Sequence, residues 1–337
     1  MVTGATGFVG AHSTKALLDA GHEVRLLVRD PARIDGALRP LGVDERPECV
    51  VGDMLDEGAV REAVAGCSAV LHCAAVVALD RRRAADVLDA NPRGVRTVVG
   101  AALEAGADPI VHVSSTSALF TPGVDRVHVD LPPAQVANAY GRSKAAAETW
   151  VRERQAEGAP ITVTYPAGVA GPPAGPAFGE WAEGIATHLR LGLSPVRHAA
   201  VSIIDVRDLG LVHAAVLEPG CGPRRYLCGG HFLTMAELGV HYRRLTGRRF
   251  PVVPVPAAAL RATGRAVDVA LRVLPVETVF TAEAMTVLTR WVPTDDRGLD
   301  ELGVHLRPVE DTLADAIRGL HAAGRLTDRQ VGRLANY

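Results

Sequence analysis

Short apolar runs alternate with segments of helical periodicity through the first half of the chain. The short runs are rich in valine, leucine and isoleucine, and they lie at 23–29, 49–53, 69–75 and 110–113. The segments that have helical periodicity lie at 11–20, 55–65 and 95–105, the last opened by Asn91-Pro92-Arg93-Gly94. An apolar run such as 69–75 is typical of a strand buried on both faces of a parallel sheet. This alternation predicts an α/β fold with a doubly wound parallel sheet.

Beyond residue 232 the pattern changes to amphipathic helices separated by prolines. The predicted helices span 235–245, 257–274, 281–291, 309–323 and 327–334. Thr327 stands at the start of the last one, where its side chain can act as the cap. The chain therefore predicts a smaller, mostly helical lobe after the parallel sheet.

Three glycines stand at the first predicted turn from strand to helix, in the stretch from Thr3 to Gly10. Glycine permits a tight turn, lets backbone N–H groups approach a pyrophosphate, and lets the helix pack closely on the sheet. The alternative is a glycine-rich turn with no ligand. Only Met1 and Val2 precede Thr3, so we expect a very short first strand or a start that lies upstream. The predicted cofactor contacts here are Gly4, Thr6, Gly7, Phe8, Val9 and Gly10.

The end of the second strand indicates which dinucleotide is bound. In dinucleotide folds an acidic residue at this position accepts hydrogen bonds from a free ribose hydroxyl, whereas an arginine favours a 2′-phosphate. Arg29 occupies the position here, and Arg33 follows one turn later. We therefore predict NADP(H), with NAD(H) as the alternative because Asp30 is adjacent. A pair of surface arginines without a ligand is the remaining interpretation.

The ends of the third and fourth strands carry further candidates. Asp53, followed by Met54, can accept a hydrogen bond from an adenine amino group, or it can cap the next helix. Ala74 and Ala75 are small enough to leave room for the cofactor backbone. We predict a packed role rather than a metal-binding role for His72, because no second ligand stands at a suitable spacing.

Hydroxyl groups follow the fifth strand, and a tyrosine and a lysine follow them. Ser115 ends the strand at the edge where open α/β sheets bind ligands, with Thr116 as the alternative hydroxyl and Ser114 predicted to face away. Tyr140 and Lys144 are four residues apart, so on a helix they share one face. A lysine ammonium beside a phenol lowers the pKa of that phenol, which can then exchange a proton near neutral pH.

The combination of Thr3 to Gly10, Asp53, Ser115 and Tyr140 with Lys144 resembles the extended short-chain dehydrogenase/reductase superfamily, in the NAD-dependent epimerase/dehydratase group. The later segments 165–172, 203–209, 225–229 and 233–238 resemble the same family. The resemblance implies catalytic roles for Ser115, Tyr140 and Lys144, and cofactor contacts at Tyr140, Lys144, Tyr165, Pro166, Gly168 and Val169. Tyr165 departs from the family pattern, because many relatives carry arginine there.

The resemblance also implies how the chain divides. An NADP(H)-binding Rossmann domain is expected over 1–170, with returning segments near 201–229. A substrate-binding lobe is expected over 171–200 and 230–337. The segment between Pro172 and His198 contains Phe178, Trp181 and Leu193 and few aligned polar groups, which suits an apolar carbonyl better than a diphosphate.

Composition excludes several other classes of protein. The 36 basic and 38 acidic residues give a net charge of −2, which argues against a nucleic-acid partner, and Arg81-Arg82-Arg83 is interpreted as a solvated helix face. Five cysteines without metal-ligand spacing argue against a disulfide framework and against a metal site. Charged residues interrupt the apolar run after Pro256, so no membrane span is expected. With no secretory signal in the sequence, a cytoplasmic location is predicted.

The expected function is NAD(P)H-dependent reduction of a ketone or aldehyde, or oxidation of the alcohol, on a small and largely apolar substrate. Val28-Arg29-Asp30-Pro31 and the apolar second half resemble the dihydroflavonol reductase-like branch, with a 3β-hydroxysteroid dehydrogenase-like role close to it. A nucleotide-sugar epimerase and a non-catalytic NADP(H) sensor are the alternatives. The protein is expected to be a monomer, or a homodimer paired through helices at 93–105 and 140–155.

Overall fold

A seven-stranded parallel sheet organises the first two thirds of the chain in the computed structural model. The structure describes residues 1–76, 84–136, 139–179, 181–195, 199–271 and 281–336. The strands of this sheet in chain order are β1 (Val2–Thr3), β2 (Arg25–Val28), β3 (Glu48–Val51), β4 (Val70–His72), β5 (Ile110–Val113), β6 (Ile161–Pro166) and, after further strands, β10 (Arg224–Cys228). Their spatial order is β3-β2-β1-β4-β5-β6-β10, and every neighbouring pair is parallel. The predicted fold class is confirmed.

Two smaller sheets lie outside this one. The first has the order β11-β9-β7, and the second pairs β12 with β8. Their strands are β7 (Gly168–Ala170), β8 (Ser194–Pro195), β9 (Ala200–Asp205), β11 (His231–Thr234) and β12 (Val252–Val253). The chain thus leaves the main sheet directly after Pro166 and returns to it at β10.

Helices cover both faces of the main sheet and build most of the second lobe. They are α1 (Phe8–Asp19), α2 (Arg33–Leu38), α3 (Glu57–Val64), α4 (Ala84–Glu104), α5 (Ala139–Ala156), α6 (Trp181–Leu191), α7 (Val206–Ala215), α8 (Met235–Thr246), α9 (Ala257–Ala270), α10 (Ala282–Arg290), α11 (Arg297–Glu301), α12 (Val309–Ala322) and α13 (Asp328–Val331). None of the helices in the described part of the chain is both long and apolar enough to cross a membrane.

Three buried clusters of apolar side chains hold these layers together. One lies between the sheet and α3, α4 and α5, and a second lies between the sheet and α1, α2 and α7. The third belongs to the lobe, where α6, α8 and α12 pack against the face of the small sheet that carries Ile203. Because both faces of the main sheet are covered, functional groups reach the cleft only from the ends of strands and helices.

Several predicted boundaries are corrected. Helix α4 begins at Ala84 rather than after Asn91-Pro92, and Pro92 lies within it. Burial of Val87 in the turn before the proline explains the longer helix, because packing outweighs the missing N–H group. Helix α9 ends at Ala270, and the predicted continuation through 272–274 lies outside the described residues, as do Arg81, Arg82 and Arg83. The last predicted helix is the short α13 followed by a 3-10 turn at Gly332–Asn336.

Candidate active site

The three glycines of the first turn each meet a separate steric demand. Gly4 has φ +76°, a conformation that side chains rarely adopt, and a Cβ there would lie 2.8 Å from the Ala74 nitrogen. Gly7 is the residue before α1, and its N–H donates to the Gly4 carbonyl at 2.9 Å. A Cβ on Gly10 would lie 2.2 Å from that same carbonyl oxygen. The backbone therefore forms a tight cradle at a helix N-terminus.

This cradle fits the dinucleotide that the sequence predicts. The N-terminus of α1 offers backbone N–H groups that lack partners within the helix, and the helix dipole favours a negatively charged ligand there. Thr6 and Val9 are half-buried beside the turn, and Phe8 is buried with its ring edge against His12. The turn could thus hold a pyrophosphate with its backbone, while the Phe8 ring packs inward.

The adenosine end of the predicted site is open and charged. Arg29 follows β2 with its side chain 74% exposed, and its Nε lies 3.9 Å from Asp53 Oδ2. Arg33 begins α2 and is also exposed. An exposed pair of guanidinium groups at this strand end could bind a phosphate.

Asp53 does not cap the next helix. Its Oδ1 accepts the Leu55 N–H at 3.0 Å, while Asp56 accepts the N–H groups of Gly58 and Ala59 at the start of α3. The capping interpretation of Asp53 is therefore wrong, and its adenine role stays a prediction. Met54 is buried with its sulfur against Gly94 of α4, so its side chain belongs to the core rather than to the cleft.

The end of β4 is held by a hydrogen-bonded threonine and histidine. Thr3 Oγ1 accepts the Ala74 N–H at 3.1 Å and is hydrogen-bonded to His72 Nδ1 at 2.7 Å. Burial, and then the charge of Lys144, lower the pKa of His72 to about 3, so this imidazole is neutral. Ala74 is half-buried and Ala75 is exposed. The packed role predicted for His72 agrees with this geometry, and the two alanines leave the strand end uncrowded.

Ser115 lies where β5 ends. It is 9% exposed, and its Oγ accepts the Ser117 N–H at 3.2 Å in a short 3-10 turn. Thr116 donates its hydroxyl to the Pro166 carbonyl at 3.3 Å, which ties β5 to β6. Ser114 is buried, and its hydroxyl meets no hydrogen-bond partner within the described ranges. Of these three residues Ser115 is the most exposed, and its role toward a substrate stays a prediction.

Tyr140 and Lys144 occupy successive turns at the start of α5. Lys144 is 5% exposed, its Nζ donates to the Val113 carbonyl at 3.3 Å, and the same Nζ lies 5.8 Å from the centre of the Tyr140 ring. A buried ammonium at this distance is attracted to the aromatic ring. Since Val113 is the last residue of β5, this hydrogen bond also fixes α5 beside the strand that leads to Ser115.

One residue that anchors this site escaped the sequence prediction. Asn91 is buried in α4, where its Oδ1 accepts the Val76 N–H at 2.7 Å and its Nδ2 donates to the Val76 carbonyl and to Ser143 Oγ. Ser143 in turn donates to the carbonyl of Tyr140 at 2.8 Å. Asn91 therefore joins the segment after β4 to the first turn of α5. The only signal in the sequence is its place before Pro92, which predicts a helix start.

The four residues predicted as cofactor contacts at the end of β6 and the start of β7 have different surroundings in the structure. Tyr165 is fully buried, and its hydroxyl donates to Glu148 Oε1 at 2.6 Å, so its side chain lies in the core and not in the cleft. Alternation along the strand explains this correction, because Tyr165 faces α5. Pro166 carries the carbonyl bound by Thr116, and Val169 is half-buried. Gly168 is covered by the Trp181 indole, whose Nε1 lies 1.7 Å from where a Cβ would stand.

The strand order and the glycine cradle define a Rossmann-fold protein of the short-chain dehydrogenase/reductase type. The model of the NAD dependent epimerase/dehydratase family matches residues 1–227, and the chain belongs to that family. Its relatives include cinnamoyl-CoA reductase 1 of Oryza sativa subsp. japonica, 31% identical over 76% of this chain and 77% of the relative. Sterol demethylase protein B of Methylococcus capsulatus is 30% identical over 76% of this chain and 77% of that relative's length.

A solved structure extends the likeness beyond the matched domain. The crystal structure of gox2253 superposes with a TM-score of 0.78 at 26% identity, covering 97% of this chain and 98% of the other. The small-sheet and helical lobe is therefore part of the shared architecture. Together these findings identify an NAD(P)-dependent oxidoreductase of the short-chain type.

Proposed function

We propose that this protein reduces a ketone or aldehyde on a small, largely apolar substrate, or oxidises the corresponding alcohol, with NADP(H) as the preferred cofactor. The observation that carries the proposal is the buried Lys144 ammonium, 5.8 Å from the Tyr140 ring centre, beside strand β5, which ends two residues before Ser115. Such a set supplies an acid or base and a hydrogen-bond donor at one strand edge, as carbonyl reduction requires.

Each of these side chains has a defined task in this proposal. A bound nicotinamide supplies or removes the hydride. Tyr140 holds the proton that passes to the substrate oxygen, and Ser115 donates a hydrogen bond to that oxygen as negative charge develops on it. Lys144 favours the phenolate of Tyr140 and would bind the nicotinamide ribose. Gly4, Gly7 and Gly10 hold the pyrophosphate through the backbone of their turn.

The proposed preference for NADP(H) rests on the end of β2. Arg29 and Arg33 are exposed there, and the ion pair of Arg29 with Asp53 is long at 3.9 Å. A guanidinium in a long, solvent-exposed ion pair can reorient toward a 2′-phosphate at little cost, since such pairs contribute at most about 1 kcal/mol. Binding of NADPH is therefore expected to be at least tenfold tighter than binding of NADH.

The proposed substrate class draws on the relatives and on the aromatic residues near β7. Relatives that are named as reductases include cinnamoyl-CoA reductase 1 and a putative dihydroflavonol 4-reductase. Trp181 packs over Gly168, and Phe178 precedes it. These side chains suit an apolar or aromatic carbonyl compound.

A cytoplasmic monomer is the proposed state of the protein. All five cysteines are free, which suits a reducing compartment. The outward faces of α4 and α5 carry exposed charged side chains, among them Asp89, Arg93 and Arg142. Because stable dimer interfaces are depleted of charge at their centre, these faces favour a monomer over pairing through the two helices.

The test replaces Tyr140 by Phe and measures NADPH oxidation across a panel of ketones and aldehydes. We expect turnover to fall at least about a hundredfold, since acid–base catalysis contributes about that much, while the Kd for NADPH stays within threefold. Tyr242→Phe is the matched control, because Tyr242 is equally aromatic and lies in the lobe core. A wild-type protein that binds NADPH without any turnover would be a sensor. Conversion of a nucleotide sugar without carbonyl reduction would identify an epimerase.

A further inference from the structure

A stripe of four side chains at intervals of one helical turn runs along α5. It begins with the proposed catalytic pair, Tyr140 and Lys144, and continues with Glu148 and Arg152. The Glu148 side chain is completely buried, and its Oε2 meets no hydrogen-bond partner in the described part of the chain. A buried carboxylate is costly unless other groups pair with it. The partners that Glu148 has are therefore informative.

Two groups from different directions converge on Glu148 Oε1. The Tyr165 hydroxyl donates to it from β6 at 2.6 Å, and Arg152 Nε donates to it at 2.5 Å. Arg152 also donates to the Val129 carbonyl at 2.9 Å. Burial, and then the charge of Glu148, raise the pKa of Tyr165 well above its usual value. The Tyr165 hydroxyl therefore stays protonated and remains a donor.

This contact joins the two elements that the proposed reaction must keep in register. Helix α5 carries Tyr140 and Lys144, and β6 ends at Pro166, separated by one residue from Gly168 at the start of β7. Other contacts fix α5 to β5 near its start, through Lys144, and to the beginning of β6 near its end, through Gln155 and the Ile161 carbonyl at 2.7 Å. The hydrogen bond from Tyr165 to Glu148 also joins α5 to β6, and it is charge-assisted because it involves a carboxylate. It lies at the end of β6 that is nearest the cleft.

We propose that Glu148 and Tyr165 are positioning residues. They hold the end of α5 that carries Tyr140 and Lys144 in the correct position relative to the end of β6. The inference rests on the proposed function, because Glu148 and Tyr165 are assigned a role in positioning Lys144 and the cofactor. A displacement of the order of 1 Å at catalytic groups can cost a hundredfold in rate. Loss of the bond therefore impairs cofactor binding and turnover as well as stability.

The experiment compares Tyr165→Phe with Tyr242→Phe. Each substitution removes one hydroxyl from a fully buried ring, but the Tyr242 hydroxyl makes no hydrogen bond to the described residues. Three quantities are measured well below the melting temperature: the Kd for NADPH, kcat and KM for a carbonyl substrate, and amide hydrogen exchange of 141–147 in the protein without cofactor. For Tyr165→Phe we expect the Kd to rise at least fivefold, kcat to fall about tenfold, KM to change less than twofold, and exchange to accelerate. Tyr242→Phe should leave all of these within twofold.

A second variant separates the bond to β6 from the charge pair with Arg152. In Glu148→Gln the amide oxygen still accepts from Tyr165, so affinity and kcat should stay within threefold of the wild type, even if Tyr165→Phe fails to fold. The proposal is overturned if Tyr165→Phe binds and turns over like Tyr242→Phe, or if Glu148→Gln is the more damaging change. A wild type that binds NADPH but reduces no carbonyl refutes the proposed function alone, because affinity and amide exchange still test the positioning role.

Discussion

The glycine cradle permits a quantitative prediction in which two opposing effects compete. In an ordinary helix, replacing glycine by alanine stabilises the protein by up to about 1 kcal/mol. At Gly10 the new Cβ would lie 2.2 Å from the Gly4 oxygen and 2.6 Å from the Gly4 carbonyl carbon, whereas ordinary contacts begin at 3.4 Å. The turn must therefore move by about 1 Å, and overpacking of that kind costs about 1–3 kcal/mol. We expect Gly10→Ala to lose about 1–2 kcal/mol of unfolding free energy.

The same displacement should weaken cofactor binding. The Gly4 carbonyl also accepts the Gly7 N–H at 2.9 Å, so moving it disturbs the N–H groups at the start of α1. The Kd for NADPH, measured by its fluorescence, should rise at least about tenfold.

Gly100→Ala is the matched control for this comparison. Gly100 lies within α4, and a Cβ there would have no atom within 4 Å. Urea unfolding should find this variant up to about 1 kcal/mol more stable than the wild type, with unchanged NADPH affinity. The steric argument is refuted if Gly10→Ala is as stable as Gly100→Ala and binds NADPH equally well.

Two further predictions concern stability. Asp56→Ala should lose about 1 kcal/mol in urea unfolding because Asp56 caps α3, and the cap assignment fails if Asp53→Ala costs more. His72 and His213 are fully buried, and burial lowers the pKa of each to about 3, so both stay neutral in the fold while the unfolded chain takes up protons below about pH 6.5. The contribution of these histidines to the free energy of unfolding should thus be fully present above pH 6.5 and be lost on acidification toward pH 3. Each histidine should lower the free energy of unfolding by up to about 1.4 kcal/mol for each pH unit in that range. A stability unchanged between pH 7 and 5 would contradict this reasoning.

Local patterns were sufficient for most strands of the main sheet and for the first turn. Short apolar runs located strands β2 to β5 to within two or three residues, because the strands of a parallel sheet are largely apolar, although β3 lies at the sheet edge and is only partly buried. The glycine spacing predicted the first turn, and the spacing of Tyr140 and Lys144 predicted one helical face. These features depend on backbone conformation and on neighbours within one turn, and both are encoded over a few residues.

Contacts between distant segments decided the rest. From its neighbours in the sequence, Pro92 predicts a helix start, yet burial of Val87 extends α4 before it. The sequence predicts Tyr165 as a cofactor contact at the end of a strand. Alternation along the strand and the hydrogen bond to the Glu148 carboxylate instead place its side chain in the core.

The position of Asn91 under α5, and the hydrogen bonds of Asp296 to the N–H groups of Gly229 and Gly230, likewise join segments far apart in the chain. The sequence by itself therefore determined which residues are candidates for the proposed chemistry. The tertiary structure decided which groups hold them in place, because a buried polar group takes its partner from whichever segment packing brings within hydrogen-bond distance.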